Sequence, residues 1–310
     1  MSLQNSTAPH VAVWDKIATQ LGQQEWVHPA LYVVATPIGN LADLSLRAWH
    51  VLSRCDVIAA EDTRDSQTLL RQWGITASIV AVHRHNEAEG AAQLIGYLEA
   101  NQSVALISDA GSPAISDPGA RVVAAVAQAG YRVVPIPGPS AVTTALMASG
   151  ATSDAHPEFL FAGFVPSKSG QRRKWLSQWR QASHAVVMFE TPHRIVATVQ
   201  AFGDIFGAHQ LVTLAKELTK RFETIVTLPC GELIAWLEGD KHHQRGEFVL
   251  ILHPSPVEDA APVASVQAIA LVDALLEVMS VKDVASVLNK AQIMRRREAY
   301  KLALSRASST

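Results

Sequence analysis

The sequence predicts an α/β protein built from two α/β domains, followed by a small helical extension. Three observations predict it. Short apolar runs alternate with helix-like stretches over roughly the first half of the chain. A second series of strands follows with less helix between its last members. The C-terminal 45 residues or so lose strand character and show helical apolar spacing with clustered bases. Strand–helix alternation implies a mostly parallel sheet covered on both faces, and consecutive strands imply antiparallel or mixed pairing.

Residues 1–29 are polar and weakly patterned, so they read as a variable extension with a helical turn or two near 11–21. Expected strands of the first domain, 30–139, are 31–35, 57–60, 80–82, 104–107 and 133–136. Between them lie expected helices at 43–52, 65–72, 88–99 and 119–128. A boundary is expected in 139–151, opening a second domain at 140–254. Its expected strands are 159–164, 185–189, 210–215, 222–227 and 247–252, with helices at 172–181 and 195–202. The segment HPSPVEDAAPVAS, with three prolines, reads as a linker opening the last part, 255–310. There, helices are expected at 266–278, 281–288 and 295–304.

Composition excludes several classes. Hydrophobic residues make up 48% and charged residues 17%, which is ordinary for a globular chain. Two cysteines, Cys55 and Cys230, lie far apart without metal-type spacing, which argues for a reducing compartment. No apolar run reaches spanning length and the first residues lack the order of a signal peptide, so the cytoplasm is the expected location, away from membranes. Among the histidines only His83 and His85 form an HxH or HxxxH pair, without matching acids elsewhere, so no metal site is expected. Neither a P-loop nor a GxGxxG fingerprint is present.

The net charge of −2 hides an uneven distribution. Residues 168–180 hold five bases (Lys168, Arg172, Arg173, Lys174 and Arg180) and no acid. Residues 280–306 hold seven, Arg295, Arg296 and Arg297 among them, against Asp283 and Glu298. Localised basic charge points to a polyanion met at defined places, with a solvated helix face as the plainer alternative.

In parallel sheets ligands sit beyond the carboxyl ends of the strands. Five corners follow expected strands there: ATPIGNLAD (35–43), AAEDTRDS (59–66), HRHNE (83–87), SDAGSPAISDPG (108–119) and PIPGPSAV (135–142). Gly39, Gly111 and Gly138 remove bulk where backbone turns or approaches a ligand, and the adjoining prolines fix the turns.

The ordered set TPIGNLAD, DVIAAEDTR, HNE, SDAGSPAISDPG, PGPSA, GFVPSKSGQR, FETPHR, KELTKRFE and GE resembles the bacterial small-subunit ribosomal RNA cytidine 2′-O-methyltransferases, a branch of the tetrapyrrole-methylase superfamily. The resemblance spans about 30–252, and the basic tail is similar to that family's helix-turn-helix-like extension. It implies a fold of the tetrapyrrole-methylase type with S-adenosylmethionine in a cleft between the two domains, 16S ribosomal RNA within the small subunit as partner, a cytidine in the decoding region as target, and a homodimer. Matched positions place Pro37, Gly39, Ala110, Gly111, Ser112, Ile115, Ser140, Ala141, Glu190 and Leu218 at the cofactor. The family more often has Thr at Ser112 and Arg at Lys216; the second change loses a guanidinium fork.

Methyl transfer to a ribose hydroxyl needs in-line positioning and a group that takes the hydroxyl proton. Glu61, Asp62, Arg64, His85 and Glu87 are the favoured catalytic candidates, with Asp117 as a further acid. Asp43 and Asp65 read as helix caps, and Asp109 as an orienter of its own loop. An RNA path is expected along Lys168, Arg172, Arg173, Lys174, Arg194, Lys216, Lys220 and Arg221, with Arg295, Arg296 and Arg297 in the tail. Trp175, Trp179 and Tyr300 are either base-stacking surfaces or core. Tetrapyrrole C-methylation and a non-catalytic ribosome-assembly role are the alternatives; the basic segments favour RNA.

Overall fold

The computed structural model describes residues 7–154, 156–254, 266–291, 293–294 and 296–307. The chain divides into two compact units, 1–254 and 255–310.

The first unit opens with helix α1 (Thr7–Gln23), longer than the turn or two expected. Helix formers such as Ala12, Lys16, Ala18 and Gln20 allow it, and Leu21 anchors its end by burial at 6% exposure. Trp26 then stacks on His50 at a ring distance of 4.9 Å.

Strands β1 (Ala30–Val34), β2 (Val57–Ala60), β3 (Ser78–Ala81), β4 (Val104–Leu106) and β5 (Arg132–Ile136) form one sheet in the order β3-β2-β4-β1-β5. Every pairing is parallel. Helices α2 (Leu46–Leu52), α3 (Thr63–Gln72), α4 (Glu87–Glu99) and α5 (Ala120–Gln128) supply the crossovers. Because side chains alternate along a strand, Ile58 and Ala60 face one core with Val51 and Leu70, while Val57 and Ala59 face another with Leu94 and Val122. Burial on both faces explains why these strands read as continuous apolar runs. The parallel arrangement brings the corners at 35–39, 61–62, 108–119 and 137–140 to one rim.

Strands β6 (Phe159–Phe164), β7 (Ala185–Glu190), β8 (Leu211–Lys216), β9 (Thr224–Pro229) and β10 (Phe248–Leu252) form a mixed sheet in the order β6-β7-β10-β8-β9. Only β6 and β7 pair in parallel, with a register shift between Phe161 and Phe164. Helix α6 (Ala141–Ser149) covers one face through Val142 and Ala145 against Val187, Ala215 and Val249. Helices α8 (Ile195–Phe206) and α9 (Cys230–Gly239) cover the other, burying Val199, Phe202 and Leu233 against Val186, Met188 and Leu250; α7 (Ser169–Leu176) adds Leu176 to that core. Two helices depart from expectation. The segment expected as a boundary is α6, ended by Gly150 in the left-handed region (φ 64). Helix α9 separates the last two strands, between which less helix was expected.

Cys55 and Cys230 are buried free thiols, pushed up to about 12 and about 11 mainly by burial. Both behave as small core residues. No helix among the described residues is long and apolar enough to cross a membrane.

The second unit contains α10 (Val266–Leu276), α11 (Val281–Lys290) and α12 (Arg296–Ala307) around Val272, Val284, Ala285, Leu288, Ala299 and Ala303. Ser280 caps α11 by accepting from the Asp283 amide, and the Arg306 guanidinium donates to both oxygens of Asp273 at 2.7 and 2.6 Å.

Candidate active site

The rim of the first sheet is assembled backbone against backbone. Thr36 and Gly111 exchange both amide bonds, N to O at 2.9 and 3.0 Å, and the Thr36 hydroxyl donates to the Ser108 carbonyl. Gly111 has φ +82, and a Cβ there would lie 3.3 Å from Ile38 Cγ2. A Cβ on Gly138 would sit 3.0 Å from that of Ala35 and 3.2 Å from its carbonyl oxygen. The Ser112 hydroxyl donates to the Pro139 carbonyl, a bond that Thr would also make. Only residues without bulk let three corners meet this closely.

Their meeting leaves a cavity of about 460 Å³ between the two sheets, within the usual range for a small-ligand site of roughly 300–1,000 Å³. Ile38, Ala110, Gly111, Ser112 and Ile115 line it from the first sheet, and Ser140, Ala141 and Val142 from the start of α6. That helix start has no side-chain cap, so its amides are open to an anionic group. Phe164, Phe189, Leu218, Phe248 and Val249 form an apolar wall from the second sheet. At the mouth, Ala114 and Ser116 hold left-handed backbone (φ 67 and 65), and Ser116 Oγ would lie 3.6 Å from a Cβ on Gly163.

Glu61, Asp109 and Asp117 also line the cavity. Burial pushes the Glu61 carboxyl above its ordinary value, and the charges of Asp109 and Asp117 push it further. Asp117 is raised by burial and by Asp109, against a hydrogen bond from Ser108 that works the other way. This wall favours a cationic ligand and holds groups ready to accept a proton.

Several expected positions lie elsewhere. Asp62 caps α3, accepting from the Arg64 amide at 2.8 Å; that bond first of all lowers its pKa. Arg64 itself points to solvent, its side chain 90% exposed. Glu87 is buried with Oε1 accepting from the Gly119 amide at 2.8 Å, so it pins the start of α5 rather than serving as a base. His85 is exposed beside His83 and outside the cavity lining, so Glu61 is the member of the expected catalytic set that reaches the cavity. Pro37 and Gly39 flank the lining residue Ile38 without joining it; Gly39 instead gives room to the Lys220 side chain. The caps of α2 and α3 are Ser45 and Asp62, not Asp43 and Asp65. Asp109 reaches beyond its own loop, accepting from the Asp62 amide at 2.9 Å.

On the second sheet, Glu190 borders the cavity but turns its carboxylate inward, where Thr191 N, Thr198 Oγ1 and Arg194 Nη2 approach at 2.7, 2.6 and 2.7 Å. Arg194 is thereby withdrawn from the expected RNA path, as is Arg172, which is buried; Arg173 donates to Asp204 at 2.6 Å and stays half exposed. Lys216 is buried and donates to the His242 carbonyl, and Lys220 pairs with Glu217 and Glu247. Lys168 and Lys174 remain exposed, as do Arg296 and Arg297 in the tail, whereas Arg295 lies outside the described residues. Trp175 and Trp179 pack edge to face on the second-sheet core; Tyr300 is 45% exposed. The expectation missed Ile38, Phe164, Phe189, Glu247 and Phe248, all inside or beside the quoted motifs; the last four fall at the ends of expected strands, where they read as sheet and not as site.

Residues 30–234 match the family model described as Tetrapyrrole (Corrin/Porphyrin) Methylases. A protein of Neisseria meningitidis serogroup B named ribosomal RNA small subunit methyltransferase I is 48% identical over 74% of this chain and 77% of its own. A protein of the same name from Vibrio cholerae is 47% identical over 73% of this chain and 77% of its own. The crystal structure of a diphthine synthase shares the fold, with a TM-score of 0.56 at 14% identity over 72% of this chain and 90% of that one. Fold and sequence likeness agree, and the chain belongs to the tetrapyrrole methylases and, among them, to the small-subunit ribosomal RNA methyltransferase I family.

Proposed function

We propose that this protein methylates the 2′-hydroxyl of a cytidine ribose in the decoding region of 16S ribosomal RNA, with S-adenosylmethionine as donor. One observation carries the reading: a cavity floored by the small residues Ala110, Gly111 and Ser112, walled by carboxylates on one side and apolar rings on the other, in a chain 48% identical to a named ribosomal RNA methyltransferase. The donor set fits the cofactor's chemistry. Asp109 and Asp117 suit its positive charge, the open amides at 140–142 suit its carboxylate, and Leu218, Phe189 and Val249 suit a flat aromatic base. When bound, S-adenosylmethionine supplies an electrophilic methyl group.

The chain's own part is positioning and proton removal. Ala110 and Gly111 allow close approach, the apolar wall excludes water, and Glu61 takes the ribose proton as the hydroxyl attacks. Lys168, Lys174 and the exposed tail bases hold phosphates without reading sequence. In this reading residues 30–139 and 140–254 are the two halves of the catalytic unit, and 255–310 an RNA-holding extension. The protein works in the cytoplasm as a homodimer, for which exposed Met147 (86%) and Phe222 (68%) offer apolar surface.

Mapping ribose methylation across ribosomal RNA from cells with and without this protein tests the reading. Loss of one cytidine 2′-O-methyl group is the expected result. An unchanged map, or tight subunit binding by purified protein without transfer of labelled methyl, overturns it.

A further inference from the structure

The turn between β8 and β9 reaches the first-sheet rim through the Lys220 side chain. The Lys220 stem lies over Gly39, where a Cβ would overlap Lys220 Cγ and stand 2.9 Å from Cε. Its ammonium donates to Glu217 Oε1 at 3.1 Å and to Glu247 Oε2 at 2.7 Å. Glu217 Oε1 also accepts from the Glu247 amide at 3.0 Å, and Glu223 accepts from the Thr219 amide at 2.6 Å. These bonds hold Glu217 and Thr219 in the left-handed region (φ 51 and 65), an arrangement that persists only when its surroundings enforce it. Leu218, between them, is buried and lines the cavity, as does Glu247; Ile38, beside Gly39, lines the facing wall.

We propose that Lys220 is a positioning residue that clamps the 217–223 turn to the 36–40 loop and so sets the spacing of the two cavity walls. This rests on the cavity being the S-adenosylmethionine site. It gives Gly39 and Lys220 one shared task in place of separate cofactor and RNA contacts. Two carboxylates already match the lysine charge, which leaves it little to offer a phosphate.

The test measures S-adenosylhomocysteine affinity by calorimetry and small-subunit affinity against salt, for wild type, Lys220→Met, Lys220→Ala, Gly39→Ala and Gly39→Ala/Lys220→Ala. Each single variant is expected to weaken S-adenosylhomocysteine binding by about tenfold, with subunit affinity and its salt slope unchanged. The double variant is expected to lose less than the sum of the two single losses, since the obstructed stem is gone while the strain at the Gly39 φ of +155 remains. Unchanged S-adenosylhomocysteine affinity overturns the clamp, and a reduced salt slope would make Lys220 a phosphate contact instead. If wild-type protein binds no S-adenosylhomocysteine, the cofactor reading falls. The clamp is then decided on melting temperature alone, where additive losses in the double variant overturn it.

Discussion

The Arg194 guanidinium meets the Glu190 carboxylate at 2.7 Å, and the carboxylate is wholly shielded from solvent. The pair joins the end of β7 to the start of α8, directly behind the cavity. Removing one partner of a buried pair strands the other charge, so Arg194→Met should cost about 3–5 kcal/mol in denaturant unfolding. The folded variant should bind ribosomal subunits with an unchanged salt slope. A loss below about 1 kcal/mol together with weaker subunit binding would return Arg194 to the RNA path.

Gly111 offers a test of the cavity floor. Its φ of +82 is costly for any other residue, and a side chain would meet Ile38. Gly111→Val should therefore abolish S-adenosylhomocysteine binding in calorimetry. Gly130, also left-handed at φ +88 but with nothing within 4 Å, serves as the control: Gly130→Val should lose stability and keep binding.

The pattern of buried parallel strands was legible because burial on both faces leaves a contiguous apolar signature, as in Val57–Ala60. Helix α6 was not, since AVTTALMAS follows a Pro-Gly turn and its apolar residues serve the second sheet, which no local pattern announces. The glycine-rich rim was legible for the same reason that it works: missing bulk is visible in the residue types. What partners a charge was not. Glu87 resembles Glu61 as a loop carboxylate, yet a backbone amide 32 residues away claims it, and Lys220 meets Gly39 only because two sheets face each other. Long-range pairing decides whether a charged residue is structural or free, and a list of motifs does not contain it.

Glu61 should give the reaction its acid limb. As a base it acts ionised, and burial with Asp109 and Asp117 raises the pH at which it ionises, so activity should climb through a pH above that of a free glutamate side chain. Asp109→Asn keeps an acceptor for the Asp62 amide and removes one negative neighbour, which should move the limb to lower pH. Glu61→Gln should lower kcat by about 10²–10⁴-fold. Stability runs the other way. A carboxyl raised in the folded state disfavours folding once ionised; this penalty is absent below the unfolded pKa and complete above the folded one. Glu61→Gln should thus melt slightly higher than wild type at neutral pH and no higher in acid. A limb that stays in place in Glu61→Gln would assign the proton to another group.

The tail separates binding RNA from binding the cofactor. Lys282, Lys290, Arg296, Arg297 and Lys301 are exposed with no ion pair among the described residues, whereas every residue lining the cavity lies within 1–254, a compact unit by itself. Deleting 255–310 should leave S-adenosylhomocysteine affinity within about twofold of wild type while weakening subunit association. Each phosphate that the protein no longer neutralises lowers the logarithmic salt slope by roughly 0.7–0.9, so removing several of these bases should flatten it by about 2–4. An unchanged slope would mean that the tail bases face solvent in the complex, and loss of cofactor binding as well would make the tail a structural support of the cavity.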